Sequence, residues 1–187
     1  MSFNLCVSHF RNGDEIPHCE TDKEWIAAAK NQQPAWCSCD GDSKNDNDYG
    51  RLYNWFAVTD SRGLVPKGYS MLNRNNLLDF VRGDAEMQLA GIRTVDVIRV
   101  VTTNKVMNDR VEFLRLGQVG YWWLPSEYPK YQRLKGDMAY RSNQIPRALN
   151  SGFYFAEKGN GLSVRCTVAQ IAAVNLEAKE RGWECLI

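Results

Sequence analysis

The sequence predicts an α+β fold, and three local patterns carry this prediction. Thr21 and Glu24 stand three residues apart before an apolar stretch, which is the capping-box pattern of a helix start. Residues 50–58 read GRLYNWFAV, a β-prone aromatic run entered through a glycine. Residues 161–166 read GLSVRC, a short strand that ends in cysteine. Because apolar runs this far apart must meet to form one core, we expect them to belong to a single domain.

Turn and cap residues predict the other elements of the first half. The NGD turn at residues 12–14 predicts a hairpin between strands at residues 7–10 and 16–18. The capped helix places Trp25, Ile26 and Ala29 on one apolar face, and we expect Pro34 to end it. A second helix over residues 74–81 follows, with Asn73 as its cap.

The second half is predicted to consist of strands around one long loop. β-Branched and aromatic runs predict strands at residues 95–103, 111–116 and 120–124. Scattered proline and glycine predict an irregular loop over residues 125–151. Residues 153–155 and 162–166 predict a closing hairpin, and residues 169–181 a final helix.

Composition and charge exclude several classes of function. The 187 residues are 44% hydrophobic and 11% aromatic, which suffices for a sizeable core. The aromatic residues fill either that core or a contact surface, and we favour the core. With 23 basic and 22 acidic residues, the net charge of +1 argues against nucleic acid as a partner. No apolar run approaches the ~20 residues of a membrane span, so we expect no membrane insertion.

The first residues contain neither a basic region nor a long apolar run. We therefore expect no signal peptide, and the location to be a virion or the cytoplasm.

The six cysteines allow three interpretations. Disulfides require an oxidising compartment, which the N-terminus does not support. Cys37 and Cys39 are separated by one residue, which is tighter than the usual spacing of zinc ligands. Buried free thiols are therefore the favoured interpretation.

Residues 40–48 form a polar segment rich in aspartate and asparagine. The pattern lacks the glutamate of a full calcium loop, so we favour a solvated turn and expect no cofactor. Calcium is the alternative interpretation, and its ligands would be Asp40, Asp42, Asp46 and Asp48.

The order of these motifs resembles the Fibrobacter succinogenes major paralogous domain family. The similar segments are Thr21–Trp25, Cys37 with the polar loop, and residues 50–58, 66–69, 123–128 and 161–166. The resemblance implies a C-type-lectin-like fold over residues 1–167, with two helices flanking small antiparallel sheets and paired terminal strands. It also implies a long irregular loop region, on a scaffold like that of formylglycine-generating enzymes and retroelement variable proteins. Residues 168–187 are then a C-terminal helical extension.

Three functions are consistent with such a scaffold, and we favour a non-enzymatic binding or adhesion module. Its loop surface would contact a protein or glycan ligand on a cell surface through Tyr128, Tyr131, Arg133, Tyr140, Arg141 and Asn143. Such a module would suit a phage fibre, decoration or tail component. An enzyme of the sulfatase-modifying type would use Cys37 and Cys39 as a reactive pair, although no basic residue lies nearby in sequence to activate them. The third function is a structural subunit that contacts other virion subunits.

The C-terminal extension predicts a homo-oligomer, since residues 169–181 place Ile171, Val174 and Ala178 at helical spacing. A helix this short is marginal alone in water and must dock either on its own domain or on another subunit, and we favour the subunit. We expect deletion of residues 168–187 to leave a folded protein of lower oligomeric state, measured as mass in solution by light scattering. A folded truncation that keeps the full-length mass would show that the helix has no role in assembly.

Overall fold

The computed structural model describes residues 2–73, 90–96, 110–125, 135–142 and 151–168. These residues combine short helices with short strands, which confirms the α+β class. The helices are α1 (Asp22–Lys30), α2 (Asp46–Tyr49) and α3 (Trp55–Val58). The strands are β1 (Ser2–Asn4), β2 (Trp36–Ser38), β3 (Arg51–Tyr53), β4 (Tyr69–Met71), β5 (Ile92–Asp96), β6 (Arg110–Leu114), β7 (Val119–Trp123), β8 (Lys135–Ser142), β9 (Ser151–Glu157) and β10 (Arg165–Val168).

The strands form small antiparallel sheets. Their orders are β1-β10-β4, β2-β3, β5-β6 and β7-β8-β9. In the first sheet Phe3 pairs with Cys166, so the first and last described strands are neighbours, as predicted. The predicted helices at residues 74–81 and 169–181 lie outside the described residues.

Helix α1 begins as its sequence predicts. The Thr21 hydroxyl accepts from the Glu24 N–H at 3.3 Å, and the Glu24 carboxylate accepts from the Thr21 N–H at 2.9 Å. The helix buries Trp25 and Ala28, whereas Ala29 is only half-buried. It ends at Lys30, several residues before Pro34, because the chain turns through Gln32 with a φ of 55°.

The segment 50–58 was predicted to be one strand, and this prediction is wrong for its second half. Strand β3 ends at Tyr53, and Trp55–Val58 form a single helical turn. The Asn54 side chain causes the change, because its oxygen accepts from the Ala57 N–H at 3.0 Å and caps the turn.

The core location of this segment is confirmed. Leu52, Trp55 and Ala57 are buried, and so is Val164 beside the final strand. Tyr53 and Leu162 form a backbone bridge between the two segments. The Trp55 ring meets the Trp123 ring edge to face at 5.1 Å between centroids.

The predicted loop over residues 125–151 is wrong at residues 135–142, which form β8, the middle strand of its sheet. Gly136 was interpreted as a loop signal, but it is a close-packing position. A Cβ at Gly136 would lie 2.5 Å from Cε3 of Trp55 and 2.9 Å from Cζ3 of Trp123. A strand glycine of this kind marks a close approach of side chains to the backbone.

The predicted closing hairpin is also wrong. Strand β9 pairs with β8, whereas β10 pairs with β1 and β4. Between them Ser163 bridges to Trp122. The two segments diverge because each completes a different sheet.

The predicted turn at residues 12–14 is confirmed, but residues 7–10 and 16–18 do not form the predicted strands. Gly13 has a φ of 96°, and the Phe10 N–H donates to the Asp14 carbonyl at 2.8 Å. The pairing is reduced to one bridge, between His9 and Glu15.

Truncation of Trp55 to alanine tests the central role of this side chain. Trp55 is 1% exposed, so the substitution leaves a cavity. We expect a loss of about 3–5 kcal/mol in the free energy of unfolding, measured by urea denaturation. Tyr154→Ala is the control, since Tyr154 is 66% exposed and should lose far less. Equal losses in the two variants would contradict the assigned packing.

Candidate functional site

The sequence-predicted ligand surface lies partly in β8. Tyr140 pairs with Tyr121 of β7 and Gly152 of β9, and Arg141 occupies the next position. The other four predicted contact residues lie outside the described residues: Tyr128, Tyr131, Arg133 and Asn143.

The chain order assigns these four residues to two different connections. Tyr128, Tyr131 and Arg133 belong to the connection between β7 and β8, and Asn143 begins the connection between β8 and β9.

Tyr154 on β9 is a candidate contact that the sequence analysis missed. It is the most exposed of the large hydrophobic side chains described, at 66%. Its register partner Met138 is buried, and its ring lies 6.3 Å from that of Phe155. The FYF triplet at residues 153–155 is the relevant pattern in the sequence, but it predicts a strand and does not indicate which of its side chains is exposed.

The aspartate-rich segment is ordered by its own hydrogen bonds. Two 3₁₀ turns, Cys39–Gly41 and Ser43–Asn45, lead into α2. The Asp42 carboxylate accepts from the Lys44 N–H at 3.0 Å, and that of Asp46 accepts from Arg51 Nε at 2.7 Å. The charge of Asp46 is therefore paired with the Arg51 guanidinium rather than with a metal ion. In the part of the chain that the structure describes, no cluster of three histidine, cysteine or acidic side chains is placed to hold a metal ion.

A pocket of about 240 Å³ opens beside β2 and the first 3₁₀ turn. Its lining combines thiol, hydroxyl, imidazole, carboxylate and guanidinium groups. The lining residues are His18, Cys19, Glu20, Cys37, Ser38, Gly41, Ser43 and Arg93.

Arg93 of β5 is the only charged pocket residue that is fully enclosed, at 1% exposure. Its guanidinium donates to the Cys19 carbonyl at 3.0 Å and to the Asp22 carboxylate at 2.9 Å. The rings of Trp25 and Phe113 each lie 4.8 Å from it, which is within cation–π range. Because a buried charge is costly without a partner, Asp22 and the two rings are what make this position tolerable.

The thiols are free and, with the exception of Cys6, buried: Cys19, Cys37, Cys39 and Cys166. The predicted buried free thiols are thus confirmed for these four residues and wrong for Cys6, which is exposed. Cys185 lies outside the described residues. Burial raises the pKa of the Cys37 and Cys166 thiols to about 12 each, and it raises that of Cys39 as well.

Arg93 is the basic neighbour that local sequence could not supply. Its positive charge lowers the pKa of the Cys37 and Cys19 thiols, but burial outweighs it in both. The described thiols with raised pKa values are therefore mostly protonated near neutral pH, so the thiolate, which is the nucleophilic form, is a minor fraction.

These features define an α+β domain with a buried aromatic core and a polar pocket that contains thiols. The family model of the Fibrobacter succinogenes major domain matches residues 1–79. This match supports the family resemblance that the motifs in this part of the chain predict. The second motif, residues 161–166, lies beyond the matched range, but its Leu162 bridges to Tyr53 inside it.

No curated protein and no solved structure matches the chain significantly. Among the described residues, no helix has the length and apolar character that crossing a bilayer requires.

The raised thiol pKa values predict that stability falls at alkaline pH. The ordinary thiol pKa is 9.0, so above that pH the unfolded chain releases protons that folded Cys37 and Cys166 retain up to about pH 12. The unfolded state then binds fewer protons than the folded one, and the free energy of unfolding decreases as pH rises. Each such thiol lowers the free energy of unfolding by at most about 1.4 kcal/mol per pH unit.

Urea denaturation at a series of pH values from neutral to about pH 10.5 measures this dependence. The decrease in the free energy of unfolding should begin near the ordinary thiol pKa. Cys166→Ala should show a shallower decrease than the unsubstituted protein. An identical pH dependence in both proteins would show that Cys166 does not contribute.

Proposed function

We propose that the chain is a non-enzymatic binding or adhesion module on a C-type-lectin-like fold. The ligand surface lies along β8 and β9, and its ligand is a protein or glycan on a cell surface. A place in a phage virion, as a fibre, decoration or tail component, is part of this proposal.

The exposed ring of Tyr154 is the observation that carries the proposal. A tyrosine supplies a large, rigid contact area and one hydroxyl at little conformational cost, which is why this residue is common in contact surfaces. Strand β9 is an edge of the sheet, next to the strand that holds Tyr140 and Arg141.

The packing beside the Tyr154 ring supports a surface that keeps its shape. Met138, its register partner on β8, and Ala156, two residues later on β9, lie on the same face of the sheet and are buried in the core cluster that contains Trp55 and Trp123. A ligand would thus meet a preformed surface and would bind with little ordering cost.

The pairing of β1 with β10 supports the C-type-lectin-like scaffold, since paired terminal strands are expected of that fold. The raised pKa of the Cys37 and Cys39 thiols weighs against the sulfatase-modifying alternative, because such an enzyme needs a reactive thiolate.

Binding of the full-length chain to a printed glycan array and to intact bacterial cells, with and without protease treatment, tests the proposal. Tyr154→Ser should weaken binding by about tenfold or more, as expected for a central aromatic contact. Leu114→Ser is the matched control, since Leu114 is 42% exposed on β6 in another sheet. The double variant Cys37→Ser/Cys39→Ser should bind normally if it folds.

Three results would contradict the proposal. The first is that the full-length chain binds neither probe. The second is that Tyr154→Ser binds as well as Leu114→Ser does. The third is that the double cysteine variant loses a measurable turnover while its thermal melt stays unchanged, which would favour an enzyme.

A further inference from the structure

A short parallel pairing sets the register between the chain before α1 and strand β2. The Trp36 N–H donates to the Pro17 carbonyl at 3.0 Å, and the Cys19 N–H donates to the Trp36 carbonyl at 3.0 Å. These bonds make His18 and Trp36 direct partners. Their rings stack at 3.9 Å with an interplanar angle of 6°, so the two side chains lie on the same face.

The next residue on each segment is a cysteine. Because successive side chains of extended chain point to opposite faces, Cys19 and Cys37 lie together on the face away from the stacked rings. Paired segments are about 4.8 Å apart, which falls within the ~4.4–6.8 Å between Cα atoms that a disulfide needs. Both residues belong to the same buried cluster, and both line the pocket.

Arg93 gives this pair an electrostatic partner. Its guanidinium donates a hydrogen bond to the Cys19 carbonyl, and its Nε–H is buried with no acceptor among the described residues. A sulfur anion beside it would find both an opposite charge and a free donor. Cys39 has a different environment, since its thiol donates to the Gly50 carbonyl at 3.2 Å.

We propose that Cys19 and Cys37 form a dithiol site that a small-molecule disulfide, such as oxidised glutathione, converts into a protein disulfide through the pocket. The Cys19 thiol, the less enclosed of the two, loses its proton and attacks one sulfur of glutathione disulfide. One glutathione leaves as a thiolate, and a mixed disulfide remains on Cys19. The Cys37 thiol then loses its proton, attacks the Cys19 sulfur and expels the second glutathione.

The exchange is balanced without another reactant. The two protein thiols are oxidised by two electrons to one disulfide, and the glutathione disulfide is reduced to two thiols that take up the two released protons. The new bond closes a loop that contains the whole of α1. It therefore ties the start of that helix to β2 in the folded and unfolded states alike.

Disulfide mapping of the unsubstituted full-length protein tests this directly. The protein is incubated with oxidised glutathione, blocked with an alkylating agent, digested without reduction and analysed by mass spectrometry. We expect a cross-linked peptide pair that contains Cys19 and Cys37, with the loss of two hydrogens. The melting temperature should rise by about 5–10 °C and return on reduction with dithiothreitol.

Two variants separate this pair from its neighbours. Cys19→Ser should abolish both the cross-link and the rise in melting temperature. Cys39→Ser keeps a donor for the Gly50 carbonyl and should retain both.

A cross-link between Cys37 and Cys39 or with another cysteine would overturn the proposal. So would a glutathione that stays on Cys19, or complete recovery of unmodified thiols. These outcomes are read from the unsubstituted protein, so the conclusion does not depend on whether a variant folds.

Discussion

The double backbone hydrogen bond between Tyr53 and Leu162 connects the two halves of the described structure. The Tyr53 N–H donates to the Leu162 carbonyl at 2.9 Å, and the Leu162 N–H donates to the Tyr53 carbonyl at 3.1 Å. The Tyr53 carbonyl also accepts from the Trp123 indole at 2.7 Å. The Tyr53 hydroxyl accepts from the Val7 N–H and donates to its carbonyl. One buried residue thus joins the N-terminal segment, β3, β7 and the segment before β10.

Local patterns predicted the elements whose stabilising groups lie close in sequence. The capping box at Thr21 and Glu24 needs partners only three residues apart, so it was readable without the fold. Asn54 lies inside an equally strong pattern for a strand, but its oxygen accepts from Ala35 as well as from Ala57. That tertiary contact fixes the cap and overrides strand propensity.

The candidate site was less predictable because its parts come from distant segments. Arg93 reaches the thiols only because the backbone of β5 pairs with Gly161, through bonds of 3.0 and 2.8 Å. Nothing near Arg93 in sequence indicates a thiol partner. The exposure of Tyr154 likewise depends on β9 being a sheet edge, which strand periodicity does not reveal.

The pocket and the core are connected through Arg93. Its ion pair with Asp22 holds the first turn of α1, where a carboxylate also interacts favourably with the helix dipole. Its backbone pairs with Gly161, where an added Cβ would lie 2.9 Å from the Trp25 ring, so this link admits little besides glycine. A change at the pocket that moved the guanidinium would therefore disturb α1 and the Gly161 pairing together. The same buried arginine that opposes the burial-driven rise in the pKa of the Cys19 and Cys37 thiols also supports the fold, so the chemistry of this pocket and the stability of the domain are coupled.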